Sequence, residues 1–260
     1  MVEEFVLDFI SKENFEKHLL NTIHFYKKSL ENIDFKKFNS NKIDPIKLVL
    51  DKYIFQKSYK EIISLEIHRQ KDKTNNNLLG YFHQNIFHYF ENCSVPKQGW
   101  DIICKVSKNT YFVELKNKHN TMNSFGTIKT YLNMKNALLK NNNNNNNIYA
   151  LVEVIAKKSQ NIPWIISIDD SKQEINEQIR RISIDRFYHL VTGDAYAFSK
   201  LCKQFLITLK ELLIKNKITS KLKNTKQQDI IDFSISDAEL ENNLFKIAFS
   251  TYLGFNKNED

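Results

Sequence analysis

Apolar residues recurring at spacings of three and four dominate the first ninety positions. Phe15, Leu19, Ile23, Tyr26 and Leu30 form one such stripe, which predicts a helix because 3.6 residues per turn put them on one face. Asp44 followed by Pro45 supplies an N-cap and a first-turn proline for a second helix running through Phe55, since proline lacks the N–H that a first turn leaves unpaired. Ile62, Ile63 and Ile67 predict a third helix over residues 59–71, closed by a polar turn at Asn75 to Asn77. Leu78, Phe82, Ile86 and Tyr89 mark a fourth.

The period then shortens to two. The β-branched and aromatic residues of DIICKV and TYFVELK, between Asp101 and Lys116, predict two strands around the polar turn SKNT. A helix follows around Ile128 to Leu139, then seven asparagines at 141–147 that read as a mobile low-complexity surface loop. YALVEVIA at 149–156 is a compact apolar run expected to be a buried strand, and PWIISI at 163–168 a further one. Thr192, Gly193 and Asp194 precede a long amphipathic helix carrying Phe198, Leu201, Phe205, Leu209 and Leu212, suited to a core or a dimer contact. Ser236 and Glu239 have capping-box spacing, Leu240, Leu244 and Ile247 continue a stripe, and Gly254 is placed to end it. Helices around a central run of strands predict a mixed α/β fold. No break in composition argues for two domains, so the expectation is one domain over 1–260: a mainly helical part to 95, a sheet over 99–168 and a mainly helical part over 172–256.

Composition narrows the class. With 42% hydrophobic residues in 260, the chain can bury a sizeable core. The opening MVEEFVLDFI lacks a basic region before an apolar one, and no stretch reaches the ~18 apolar residues of a membrane span. A soluble, cytoplasmic protein is expected. Cys93, Cys104 and Cys202 are odd in number and lack CxxC spacing, which predicts reduced, mostly buried thiols rather than a disulfide framework or a zinc site. A net charge of +8, from 38 Lys and Arg against 30 Asp and Glu, favours a polyanionic partner.

The stretch GWDIICKVSKNTYFVELKNKHNTMNS, residues 99–124, holds the candidate chemistry. Alternate side chains of a strand share a face, so Glu114 and Lys116 point one way and Tyr111, Val113 and Leu115 the other. Asp101 joins them if the preceding strand brings it within the ~4.5 to 5.5 Å of antiparallel neighbours. A two-residue turn pairing Val106 with Asn109 sets Asp101 opposite Glu114, and a four-residue turn sets it opposite Lys116; either builds the site. A three-residue turn would put Asp101 opposite Leu115, on the wrong face unless a bulge intervened. Two carboxylates can hold a hard divalent cation, which neutralises a phosphate and makes a nucleophilic water available near neutral pH. Lys116 would orient or deprotonate that water and stabilise developing charge. An isolated E-x-K is ordinarily a surface ion pair; the Asp at the head of the preceding strand is what changes the reading.

GWD followed by ELK resembles the PD-(D/E)xK nuclease signature, with Trp100 where proline stands in the motif. IDP at 43–45, EIHRQ at 66–70, GYFHQNI at 80–86, GWDI at 99–102 and ELKNKHNTMN at 114–123 together resemble the type II restriction endonucleases that cut GGNCC or GGWCC sites. YALVEVIAK and FYHLVTGDAYAF extend the similarity, which spans roughly residues 40–215. The resemblance implies a restriction-endonuclease-like core, a central mixed β-sheet flanked by helices with a helical N-terminal region. It implies an Mg2+-dependent enzyme that leaves 5'-phosphate ends in double-stranded DNA, alongside a protective DNA methyltransferase in the cell. Asp101, Glu114 and Lys116 carry over as catalytic residues, with Asp101, Glu114 and the Leu115 carbonyl as metal ligands.

Glu66 and Gln84, on the helices before the hairpin, are candidate accessory groups, and Arg69, Gln70 and His83 candidate DNA contacts, against the alternative of a solvated helix face. Lys118, His119, Asn120 and Asn123 follow the catalytic strand, with donors that suit phosphates or base edges. They could instead be a polar loop capping the next helix. His83 and His88 lack the i, i+4 spacing of a helical zinc pair. The expected assembly is a homodimer, whose twofold suits a pseudo-palindromic duplex. A structure-specific or repair nuclease of the same fold, and a non-catalytic DNA-binding protein, are the competing classes.

Overall fold

The structure is a computed structural model and describes residues 4–31, 44–141, 146–168, 171–172, 175–215, 246 and 248–255. Contacts divide the chain into two units, residues 17–82 and residues 1–16 with 83–260.

The 17–82 unit holds most of helix α1 (Lys12–Glu31), all of α2 (Pro45–Ile54) and most of α3 (Tyr59–Asn85). Asp44 Oδ1 accepts from the N–H groups of Ile46 and Lys47, the cap expected ahead of Pro45. A capping box opens α3, where Ser58 Oγ accepts from Glu61 N–H and Glu61 Oε2 from Ser58 N–H. The turn predicted at Asn75–Asn77 and the separate fourth helix are overturned, because α3 runs unbroken for 27 residues. Asparagine lowers helix propensity by well under ~1 kcal/mol per residue, which packing readily overrides, and Asn75 is itself buried. Within the unit, His18 Nε2 hydrogen-bonds the Phe82 carbonyl at 3.0 Å.

In the other unit a 3-10 turn, Ile86–Tyr89, leads into a six-stranded sheet. Its strands are β1 (Cys93–Ser94), β2 (Ile102–Val106), β3 (Asn109–Lys118), β4 (Asn147–Ile155), β5 (Asn161–Pro163) and β8 (Ile179–Ser183), ordered β1-β2-β3-β4-β8-β5. A separate pair, β6 (Ser167–Ile168) with β7 (Ser171–Lys172), lies between β5 and β8 in sequence. The hairpin closes on a two-residue turn that pairs Val106 with Asn109, with Ser107 at φ 53°. β3 and β4 are parallel, as are β4 and β8, and the remaining pairs of the large sheet are antiparallel. The sheet is therefore mixed.

Joining parallel neighbours needs a crossover, supplied between β3 and β4 by α4 (Ser124–Lys140). Tyr131, Met134 and Leu138 of α4 pack with Tyr149 and Leu151 of β4 and with Trp164, Ile166 and Ile179. The opposite face, with Val113, Leu115, Ala150, Val152 and Val154, packs on α5 (Ile184–Thr192) and α6 (Ala197–Lys215). Phe249, Tyr252 and Phe255 complete this second core. Tyr252 clamps the end of β4: its hydroxyl donates to the Val154 carbonyl and accepts from Ala156 N–H.

Further expectations change. Cys93 and Cys104 form a disulfide, against the reduced thiols expected, because the β1–β2 register sets them directly opposite; Cys202 is free and buried. The ends of the asparagine run belong to elements: Asn141 donates to the Tyr149 hydroxyl and Asn147 starts β4, while 142–145 lie outside the described residues. The strand expected over 163–168 breaks after Pro163, since Trp164 and Ile166 turn into the core. β8 falls in the part expected to be mainly helical, and α5, in the same part, was not singled out as an element. The capping box and stripe at 236–247 lie outside the described residues, but Gly254 has the left-handed φ of 82° that suits a helix-ending glycine. A Cβ there would lie 2.3 Å from Ser199 Oγ. No described helix is long and apolar enough to cross a membrane.

Candidate active site

β3 alternates as its sequence predicts: Val113 and Leu115 are buried, while Glu114 and Lys116 occupy the opposite face with side chains 27% and 29% exposed. Lys116 Nζ donates to Glu114 Oε1 at 2.6 Å. Of the two hairpin registers that assemble the three residues, the shorter turn is the one observed. It pairs Ile102 with Val113, and there the β2–β3 ladder ends.

Asp101 takes over where the ladder stops. Its N–H donates to the Val113 carbonyl at 2.9 Å, and its carboxylate Oδ2 accepts from Leu115 N–H at 2.7 Å. A side chain thus satisfies a strand N–H that a longer β2 would have paired, and it brings the carboxylate onto the backbone between Glu114 and Lys116. Burial pushes the Asp101 carboxyl above its ordinary pKa; the Leu115 N–H opposes this, Glu114 adds to it and Lys116 opposes it. Gln84 Nε2 donates to the Asp101 carbonyl at 3.1 Å, tying the end of α3 to the head of β2.

The donor set suits a hard cation. Among the described residues no hydrogen bond engages Asp101 Oδ1 or Glu114 Oε2. The N–H and C=O of one strand residue face the same neighbour, so the Leu115 carbonyl faces the side on which β2 has ended. Among the described residues no group of three or more His, Cys, Asp and Glu is arranged to hold a metal ion by itself. A cation here would complete its shell with water and phosphate oxygens, as magnesium commonly does.

The other candidates are distributed unevenly. Glu66, Arg69 and Gln70 are in the 17–82 unit, where both Glu66 oxygens bond to Arg69 and one also accepts from Gln70. This arrangement holds the Glu66 carboxyl below its ordinary pKa, the Arg69 hydrogen bonds being the largest cause. His83 is half-buried beside Gln84. Lys118, the last residue of β3, and Asn120, just past it, are exposed, and His119 N–H donates to the Ile155 carbonyl. Asn123 caps α4, its Oδ1 accepting from Gly126 N–H.

One pair on the same sheet face escaped the sequence reading. Register places Glu153 beside Lys116, and Leu151 between Glu114 and Arg181. Glu153 is fully buried and takes two hydrogen bonds from Arg181, at 2.9 Å from Nε and 2.5 Å from Nη2. A carboxylate inside the apolar run YALVEVIA was the available signal, since acidic residues are almost never fully buried without a partner.

Known proteins resemble this chain over most of its length. The Eco47II restriction endonuclease family matches residues 7–214. The type II restriction enzyme Sau96I of Staphylococcus aureus is 33% identical over 214 residues, covering 78% of this chain and 79% of its own length. The type II restriction enzyme Eco47II of Escherichia coli is 27% identical over 201 residues, covering 75% and 83%. An α/β chain with a mixed sheet, an acidic pair beside a lysine at a strand end and this extent of similarity belongs to the Eco47II restriction endonuclease family, and is by that membership a site-specific deoxyribonuclease.

Proposed function

We propose that the chain hydrolyses double-stranded DNA with magnesium, at a short site of the GGNCC or GGWCC kind, leaving 5'-phosphate ends. The observation that carries this reading is the hydrogen bond from Leu115 N–H to Asp101, which draws that carboxylate alongside Glu114 and Lys116. Asp101, Glu114 and the Leu115 carbonyl would hold the cation. When bound, it supplies charge neutralisation at the phosphate and a more acidic water near neutral pH.

The chain's own groups do the rest. Lys116, beside Glu114, orients the attacking water and meets the negative charge that grows on the phosphate. Gln84 fixes the carbonyl of Asp101, so the carboxylate stays at the strand head. Lys118 at the end of β3, with His119 and Asn120 directly after it, offers donors to the DNA backbone. A homodimer would present two such sites to the two strands of a pseudo-palindrome, and a cytoplasmic methyltransferase of matching specificity would protect the host's own DNA.

The test is the Lys116→Ala variant, assayed for plasmid cleavage with magnesium and for gel shift with calcium. Cutting should fall by at least ~100-fold, the scale of losing a catalytic acid, base or charge stabiliser, while duplex binding survives. Near wild-type cutting would move the active site elsewhere. Discrete fragments from unmethylated plasmid, followed by end sequencing, would give the site and the end chemistry.

A further inference from the structure

Glu153 and Arg181 sit on the face that carries Glu114 and Lys116. Adjacent strands are about 4.8 Å apart, so Arg181, two strands from Glu114 in the same row, is about 10 Å from it at the backbone. Glu153 is fully buried, whereas the Arg181 side chain is 28% exposed. The carboxylate is thus hidden, while the arginine side chain keeps partial access to solvent.

Purely structural needs do not explain the pair. Taking two charges out of water costs several kcal/mol each, and apolar residues of similar size often stabilise a protein at least as well. Here the neighbours on the same face, Tyr149, Leu151 and Ile179, are already apolar core residues. Glu153 uses Nε–H and one Nη2–H of the guanidinium, and no hydrogen bond among the described residues uses Nη1. A planar fork keeps donors to spare, fixed in direction by a buried carboxylate. Arginine held in this way matches phosphate geometry. A cation is the poorer match for Glu153, because both its oxygens already accept hydrogen bonds from Arg181.

We infer that Arg181 is a DNA-phosphate contact, held by Glu153 as its positioning residue, on the same sheet face as Glu114 and Lys116. This rests on the active-site reading above. The neutralised Glu153 also spares the incoming backbone a third negative charge on that face, beside those of Asp101 and Glu114.

The test measures binding to a short synthetic duplex carrying GGACC, in calcium, as a function of salt. Arg181→Ala should bind about tenfold more weakly, and the slope of log affinity against log salt should shrink by about 0.9, one phosphate's worth. Arg181→Lys should keep most of the slope and lose cleavage efficiency, because it keeps the charge without the fork. An Arg181→Ala variant with unchanged affinity and slope would overturn the inference. If that variant fails to fold with Glu153 left alone, the double variant Glu153→Leu with Arg181→Met replaces the pair by apolar groups. It should fold and show the same reduced slope, and a wild-type slope would equally overturn the inference. Lys116→Ala serves as the control: normal cutting by it would sink the active-site reading, whereas its loss of cutting beside an unaltered Arg181→Ala would sink only this one.

Discussion

Asp101 has two duties that substitution can separate. Its Oδ2 accepts the Leu115 N–H, a structural task that a neutral amide oxygen performs almost as well. Its negative charge serves the proposed cation. Asp101→Asn should therefore keep stability within about 1 kcal/mol while abolishing cleavage, whereas Asp101→Ala should also lose about 1–3 kcal/mol by leaving that N–H unpaired. Denaturant melts beside plasmid digests measure both, and an Asp101→Asn enzyme that still cut would remove the residue from the chemistry. Asp101, Glu114 and Lys116 were legible because strand alternation and a short turn are local in sequence. Glu153 and Arg181 were not, because their meeting depends on the parallel register of β4 with β8, which no local pattern encodes.

The strongly periodic elements were legible: α2 with its Asp44 cap, the β2–β3 hairpin, β4 and the amphipathic α6. Failures followed from tertiary contacts outweighing local preference. The asparagines at 75–77 looked like a turn but lie inside α3, and two adjacent arginines in IRRIS hid β8 from any alternation test. The start of α6 gives an element-scale prediction. Asp194 Oδ1 accepts from Tyr196 N–H, and Oδ2 pairs with Lys200 at 2.7 Å. Desolvation raises the Asp194 pKa, but Lys200 and the Tyr196 N–H outweigh it, so the group titrates below its ordinary value. An acid whose folded value is lowered adds stability above its unfolded value and loses it as pH falls through the folded one. Asp194→Ala should cost about 1 kcal/mol near neutrality, from the Tyr196 N–H and the Lys200 pair together, with the gap to wild type narrowing in acid as the charge is lost and cleavage unaffected. Denaturant titrations across pH check this, and a gap undiminished in strong acid would contradict it.

At the scale of the whole molecule, the net charge of +8 should make duplex binding steeply salt-dependent. The proposed homodimer predicts two chains per recognition site, measured by sedimentation with a duplex, and a single chain per duplex would exclude the twofold arrangement. The match to the family ends at residue 214, yet the core does not. Phe249, Tyr252 and Phe255 are buried, and the Tyr252 hydroxyl serves both Val154 and Ala156 at the end of β4. Three buried aromatics contribute roughly 1.5–3 kcal/mol each, comparable with the ~5–15 kcal/mol that holds a domain folded. A chain cut back to the boundary that homology suggests would keep every proposed catalytic residue and lose much of what keeps them in place. The stretch that matches the family is shorter than the stretch that builds the core.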